Sequence, residues 1–170
     1  MTIEVDGKLL RIVNFYGVTC GHNSEEAVMQ TDHLIGVIRD ELEEHPNIPT
    51  LIVGDLNAEP EDVPIVQEML QEEGWTDCAG QAGIWGRTGG QGTCTAPNSK
   101  RTTRRDYIFA CPVALPMIAG CEVHKTDEFA VHQPLRIYMQ MGTKQVRKQR
   151  YRKTASAKEK FEERLESRYK

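Results

Sequence analysis

Residues 50–60 read Thr-Leu-Ile-Val-Gly-Asp-Leu-Asn-Ala-Glu-Pro. The run from Thr50 to Val53 is short and apolar, the pattern of a strand buried on both faces. A buried strand obliges the chain to build covering layers around it. This one stops abruptly at Gly54, and two polar residues, Asp55 and Asn57, follow two positions apart. On an extended chain that spacing points both side chains the same way. A carboxylate and a carboxamide at the carboxyl end of a strand offer oxygen ligands to a hard cation and an amide donor to a phosphoryl oxygen. The carboxylate can also serve as general base toward water. An Asp-x-Asn turn that only caps the following helix would use the same residues.

The rest of the chain supplies the layers. Leu9 to Val18 is rich in apolar and β-branched residues and reads as a strand, with Met1 to Lys8 as an edge strand before it and an Asp6-Gly7 turn between them. Ser24 is placed to cap a helix that ends before Pro46, with Val28, Leu34, Ile35, Ile38 and Leu42 near one face. Glu61 to Glu73 reads as a second amphipathic helix, with Val63, Val66, Met69 and Leu70 inward and Gly74 as its C-cap. Gly80 to Ser99 is rich in Gly, Thr and Gln and reads as a long loop. Arg105 to Ala110 and Leu135 to Met141 read as strands. The order is β, α, β, α and then β-rich, an α/β arrangement without internal repeat.

Charge divides the chain in two. From Gly142 onward there are 11 Lys/Arg against 4 Glu, net +7, whereas residues 1–141 carry net −11. An acidic body does not attract nucleic acid over long range, so a divalent cation or the basic tail would have to offset the repulsion. Val146, Tyr151, Phe161, Leu165 and Tyr169 form only a thin stripe, so residues 142–170 read as a solvated helical or disordered extension. Such a tail can contact nucleic acid through phosphate charge; a solvated charged helix is the other reading. The five cysteines, Cys20, Cys78, Cys94, Cys111 and Cys121, are odd in number and lack C-x-x-C spacing. That argues against a secreted disulfide framework and a zinc knuckle, and for small buried hydrophobes in a reducing compartment. The N-terminus shows no signal-peptide pattern, and no apolar run approaches the ~20 residues of a membrane span. An intracellular protein, nuclear or cytoplasmic, is expected.

Three further elements carry polar groups on strands. Asn14-Phe15-Tyr16 places Asn14 and Tyr16 on one strand face, where a tyrosine hydroxyl can reach a phosphate or simply pack. Arg105-Asp106-Tyr107-Ile108 puts a carboxylate at the start of an apolar strand after a basic loop, suited to a site or to a surface salt bridge. His132-Gln133-Pro134 enters the last strand. A His held by a carboxylate has a fixed tautomer and is the better acid toward a phosphoryl group. Asp106 is its evident partner if their strands are neighbours; a partly exposed loop histidine is the alternative.

The ordered set resembles the endonuclease/exonuclease/phosphatase superfamily, which includes abasic-site endonucleases, DNase I-like nucleases, inositol phosphatases and the endonucleases of non-LTR retroelements. Its N-x-Y strand, G-D-x-N strand end, R-x-D-Y strand and S-D-H-x-P turn are matched here by Asn14–Tyr16, Gly54–Asn57, Arg105–Ile108 and Ala130–Pro134. Gly74-Trp75-Thr76-Asp77 is similar to the segment after the family's second helix. The resemblance covers residues 1–141 and implies part of a four-layer α/β/β/α sandwich of the DNase I type, without its N-terminal strands. It implies a phosphodiesterase or nuclease using Mg²⁺ or Mn²⁺, acting on nucleic acid or another phosphodiester, with a retroelement origin as one expectation. Tyr16 would contact phosphate, Asp55 and Asn57 would activate water and hold the scissile group, Asp106 would orient His132, and His132 would stabilise the pentavalent phosphate. The family's Asn strand and metal-binding Glu would precede this chain, and the Asp before its His is Val131 here. A truncated or degenerate domain is therefore expected, its open sheet face covered by a missing segment or a second copy. The competing expectation is a non-catalytic interaction module that uses the tail.

Overall fold

The computed structural model describes residues 1–5, 7–97 and 99–140. Strand β1 (Thr2–Val5) and strand β2 (Lys8–Tyr16) form an antiparallel hairpin, with Val5 opposite Lys8 across the expected two-residue turn. Helix α1 (Glu25–Glu43) begins where Ser24 accepts a hydrogen bond from the Ala27 N–H at 3.3 Å, and it carries Glu25 and Glu26 in its first turn. A capping hydroxyl and first-turn acids both satisfy the positive end of a helix. Its buried residues are Ala27, Thr31, Ile35 and Leu42, with Val28 and Ile38 half-buried. The inward stripe is thus turned slightly from the expected one, because Thr31 accepts the Val18 N–H at 2.9 Å and anchors the loop after β2.

Strand β3 (Thr50–Asp55) is the centre of the sheet, parallel to β2 on one side. The helix expected over residues 61–73 is interrupted. A 3₁₀ turn at Pro60–Asp62 precedes helix α2 (Pro64–Gln71), and Val63 between them is extended, at φ −110° and ψ 102°. Pro64 is the reason. Proline suits the first helical position, but its ring pushes the preceding residue out of the helical region. Gly74, at φ 75°, takes the left-handed conformation that lets the chain turn away after the helix.

Strand β4 (Thr76–Asp77) follows at the sheet's far edge. The expected long loop contains a 3₁₀ turn at Ala82–Trp85 and strand β5 (Cys94–Thr95), which pairs with strand β6 (Thr102–Thr103). Strand β7 (Asp106–Ala110) is antiparallel to both β3 and β4, giving the order β1-β2-β3-β7-β4. Strand β8 (Ile118–Val123), which no motif flagged, pairs with strand β9 (Leu135–Met139) in a separate hairpin. Gly120 and a register shift interrupt its pattern.

The mixed sheet has two unlike faces. Registers place Val13, Phe15, Ile52, Tyr107 and Phe109 on one. There Arg11 and Val13 share a groove with Val37, Ile38, Glu41 and Leu42 of α1. The other face carries Ile12, Leu51, Val53 and Ile108, then Tyr16, Asp55 and Asp106 in one cross-strand row at the sheet's end. Ile118 and Cys121 of the β8–β9 hairpin are buried in the common core, while Leu135, Ile137 and Met139 remain half-buried. Among the described residues there is no second large sheet, and no helix is long and apolar enough to cross a membrane. The basic tail, and Met141 before it, lie outside the described residues.

Candidate active site

The cross-strand row fixes two carboxylates side by side. Asp55 closes β3 and Asp106 opens β7, and the two are register partners. His132 stands against both: Nδ1 is 2.9 Å from Asp106 Oδ2, and Nε2 is 4.0 Å from Asp55 Oδ2. Ligand atoms of Asp55, Asp106 and His132 all lie within 4.8 Å of one another. The expected Asp106–His132 pair is present, but not through neighbouring strands. β9 pairs with β8, and the segment before it is carried to the site by β5, where Cys94 bridges His132 in antiparallel fashion and the Thr95 N–H donates to Val131 O at 2.9 Å.

Asn57 departs from the extended geometry expected for Asp-x-Asn. β3 ends at Asp55, and Asn57 is left-handed at φ 55°. Asparagine tolerates that region because its short polar side chain can bond locally. The turn is held on three sides. The Asn57 N–H donates to Asp55 Oδ1 at 2.9 Å, its Nδ2 donates to Gly17 O at 3.0 Å, and its carbonyl accepts from Arg105 Nη1 at 2.8 Å. Gly17 must be glycine, since a Cβ there would overlap the Leu56 carbonyl. Asn57 therefore stays beside Asp55 through a turn, and one of its two amide hydrogens is already committed. Tyr16, at the end of the same row, is 63% exposed and forms the rim.

Burial raises the Asp55 carboxyl above its ordinary range, and the Asp106 charge adds to this; the Asn57 N–H and the His132 and Arg105 charges oppose it. Burial likewise raises the Cys94 thiol, with Asp106 and Asp55 adding, so a neutral thiol borders the site. Cys78, Cys111 and Cys121 are buried as expected of small hydrophobes, whereas Cys20 is exposed and all five are free. Arg104 and Arg105, which read as a basic loop, are used internally: Arg104 pairs with Asp77 and lies over the Tyr107 ring at 4.5 Å, and Arg105 holds the Asn57 turn.

One buried residue had no sequence signal. Thr93, within the Gly-rich stretch, accepts the N–H groups of both Arg105 and Asp106 on its hydroxyl, each at 3.0 Å. Only the alternation of Thr93, Cys94 and Thr95 hinted at a strand there.

No family profile and no curated protein sequence matches the chain. Solved structures do. A 3′-5′ exonuclease (NExo) from Neisseria meningitidis matches with a TM-score of 0.61 at 18% identity, and a 3′ phosphatase NExo variant from Neisseria bound to a product DNA hairpin matches with 0.60 at 18%. Both cover 81% of this chain and 63% of theirs. The mannosyl-6-phosphatase Bt3783 of Bacteroides thetaiotaomicron matches with 0.54 at 18%, over 79% of this chain and 52% of its own. The chain thus spans between half and two-thirds of these structures. Over about four-fifths of its length it shares the fold of these nuclease and phosphatase structures.

Proposed function

We propose that this chain is the C-terminal part of a metal-dependent phosphodiesterase of the nuclease type, built on a four-layer sandwich that other strands complete. The observation that carries this reading is the Asp55–Asp106–His132 cluster at the open end of buried strands. Two carboxylates set side by side by the strand register, with a histidine against both, form a natural cation site, and their oxygens suit Mg²⁺ or Mn²⁺. Asp55 and Asp106 would hold such an ion, which supplies neutralising charge for the phosphoryl oxygens when bound.

The chain's own groups account for the remaining steps. Asp55, at the end of β3 with Oδ2 toward His132, is the base toward the attacking water. Asp106 holds His132 through Nδ1, so Nε2 faces the space beside Asp55. At 4.0 Å from Asp55 Oδ2, Nε2 is beyond hydrogen-bond length and can donate to a phosphoryl oxygen placed between them. The uncommitted Asn57 amide hydrogen, beside Asp55, and the exposed Tyr16 hydroxyl, at the end of the same row, would serve as further donors. The substrate is a phosphodiester, with nucleic acid as the first class to test. The Neisseria structure bound to a product DNA hairpin supports that choice by fold alone.

A second reading is favoured by one residue. Val131 precedes His132 and adds no ligand, which suits a non-catalytic remnant that contacts nucleic acid through its basic tail. Cleavage of a plasmid and an abasic-site duplex with Mg²⁺ or Mn²⁺ separates the two. Metal-dependent cutting that Asp55→Ala and His132→Ala both abolish supports the first. No cutting by the folded chain, with binding that falls on tail deletion, supports the second.

A further inference from the structure

We propose that Thr93 is the positioning residue of the site: its hydroxyl and backbone set the distance between Asp106 and His132. The inference rests on reading that pair as the reacting dyad. Thr93 is fully buried, at 0% exposure. Its Oγ1 accepts the Asp106 N–H and the Arg105 N–H, both at 3.0 Å. Its carbonyl accepts the N–H of Gln133, the residue after His132, at 2.6 Å, and its own N–H donates to Thr103 O at 2.9 Å. One residue thus bonds the backbone on which Asp106 sits and the backbone next to His132.

That connection matters because among the described residues the two segments are not paired as neighbouring strands. Asp106 belongs to the five-stranded sheet, whereas His132 precedes a strand of the separate β8–β9 hairpin. The 2.9 Å bond between the two side chains joins segments 26 residues apart. The Cys94–His132 bridge and the Thr95–Val131 bond continue the same seam, but neither reaches Asp106. Thr31 is equally buried and gives the contrast. Its hydroxyl accepts a single N–H, from Val18, and bonds neither the Asp106 nor the His132 segment.

Thr93→Val keeps the shape and removes the acceptor, leaving two N–H groups unpaired beside Asp106. Thr93→Ser keeps the oxygen. On the chain as it stands, the Val variant is expected to lose roughly 10- to 100-fold in kcat, the range for groups that orient a reacting residue, with KM within about threefold of the parent. Ser is expected to stay within about threefold in both constants. A second readout needs neither metal nor substrate: ¹⁵N chemical shifts of the His132 ring. These are expected to report the Nδ1–H tautomer in the parent and the Ser variant, and a mixture of tautomers in Val. Should Val fail to fold, Thr93→Ala takes its place with the same expectation. A folded Val or Ala variant with parental kcat, a kcat loss with an unchanged His132 spectrum, or a Ser variant as impaired as Val would each overturn the proposal. If the parent cuts nothing, the phosphodiesterase reading fails and Thr93 is judged on the ring spectrum alone.

Discussion

Phe15 and Tyr16 are consecutive residues of one strand, and they meet opposite fates. Phe15 is buried under the helices with Ile52, Tyr107 and Phe109, the last two stacked at 5.5 Å between ring centroids. Tyr16 is 63% exposed at the end of the other face, in the row that ends in Asp55 and Asp106. On the helix-facing side Phe15, Ile52, Tyr107 and Phe109 are buried and Val13 is half-buried. On the opposite face Leu51 and Ile108 are buried as well and Ile12 and Val53 are half-buried, but the strand ends are given to groups that charge, donate and accept. The comparison teaches that both faces contribute to the core while the chemistry is confined to the strand ends of one, so a substitution in the apolar middle of the other is expected to leave the site's readout intact.

The largest expected effect tests that separation directly. Asp55→Ala and His132→Ala are each expected to lower the rate of metal-dependent phosphodiester cleavage by roughly 10²- to 10⁴-fold, with an unfolding midpoint no lower than the parent's. Ile52→Ala, on the covered face, is expected to do the reverse. It removes a fully buried side chain and costs about 2–5 kcal/mol of stability, while kcat of the folded fraction stays within about threefold. Chemical denaturation beside single-turnover cleavage measures both. An Asp55→Ala chain that unfolds as readily as Ile52→Ala would show that the two faces are not independent.

How much of this the sequence discloses follows the same division. Periodicity marks residues that repeat, so β2, α1, β3 and β7 were legible, as were the inward Ile35, Leu42, Val66 and Met69. The ordered motifs also brought out Tyr16, Asp55, Asn57, Asp106 and His132; the structure gathers Asp55, Asp106 and His132, with Asn57 beside them and Tyr16 at the rim. What escaped was connection without repetition. β5 and β6 are two residues each, too short for a period, yet β5 is what delivers His132 to Asp106. Asn57 was misplaced in orientation because an Asp-x-Asn spacing reads as extended until the left-handed φ is known. Pro64, read as part of one helix, divided it because the residue before proline resists the helical region.

A smaller effect probes the edge where the two faces meet. Asp77, at the sheet's far edge, pairs with Arg104, and the Asp77 carboxylate also accepts the Gly80 N–H at 2.9 Å. Arg104 in turn lies over Tyr107 on the covered face. Both side chains are largely buried, so Asp77→Ala strands a guanidinium with no carboxylate and is expected to cost about 3 kcal/mol. Asp77→Asn keeps the Gly80 bond and is expected to recover part of that loss. Equal destabilisation by the two variants, measured by urea unfolding, would assign the whole effect to charge.

The smallest effect inverts the usual expectation that removing a buried hydrogen-bonded group destabilises. Burial, and then the Asp106 charge, hold the Asp55 carboxyl above the ordinary aspartate value. Between that ordinary value, about 3.9, and the raised folded value, the folded chain binds more protons than the unfolded one. Stability therefore falls as pH rises through this window and stays reduced at neutral pH. Asp55→Asn removes the charge while an amide oxygen can still accept the Asn57 N–H. In chelator, the variant is expected to be more stable than the parent at pH 7 by on the order of 1 kcal/mol, and the gain should vanish as pH falls below about 3.9. Added Mn²⁺ is expected to reverse the ranking, because the parent binds the cation in its folded state and gains stability by mass action, whereas the amide has lost the charge that attracts it. A variant less stable than the parent at pH 7 without metal would mean that the Asn57 turn needs a charged Asp55, and that the polar end of the sheet contributes to stability as the covered face does.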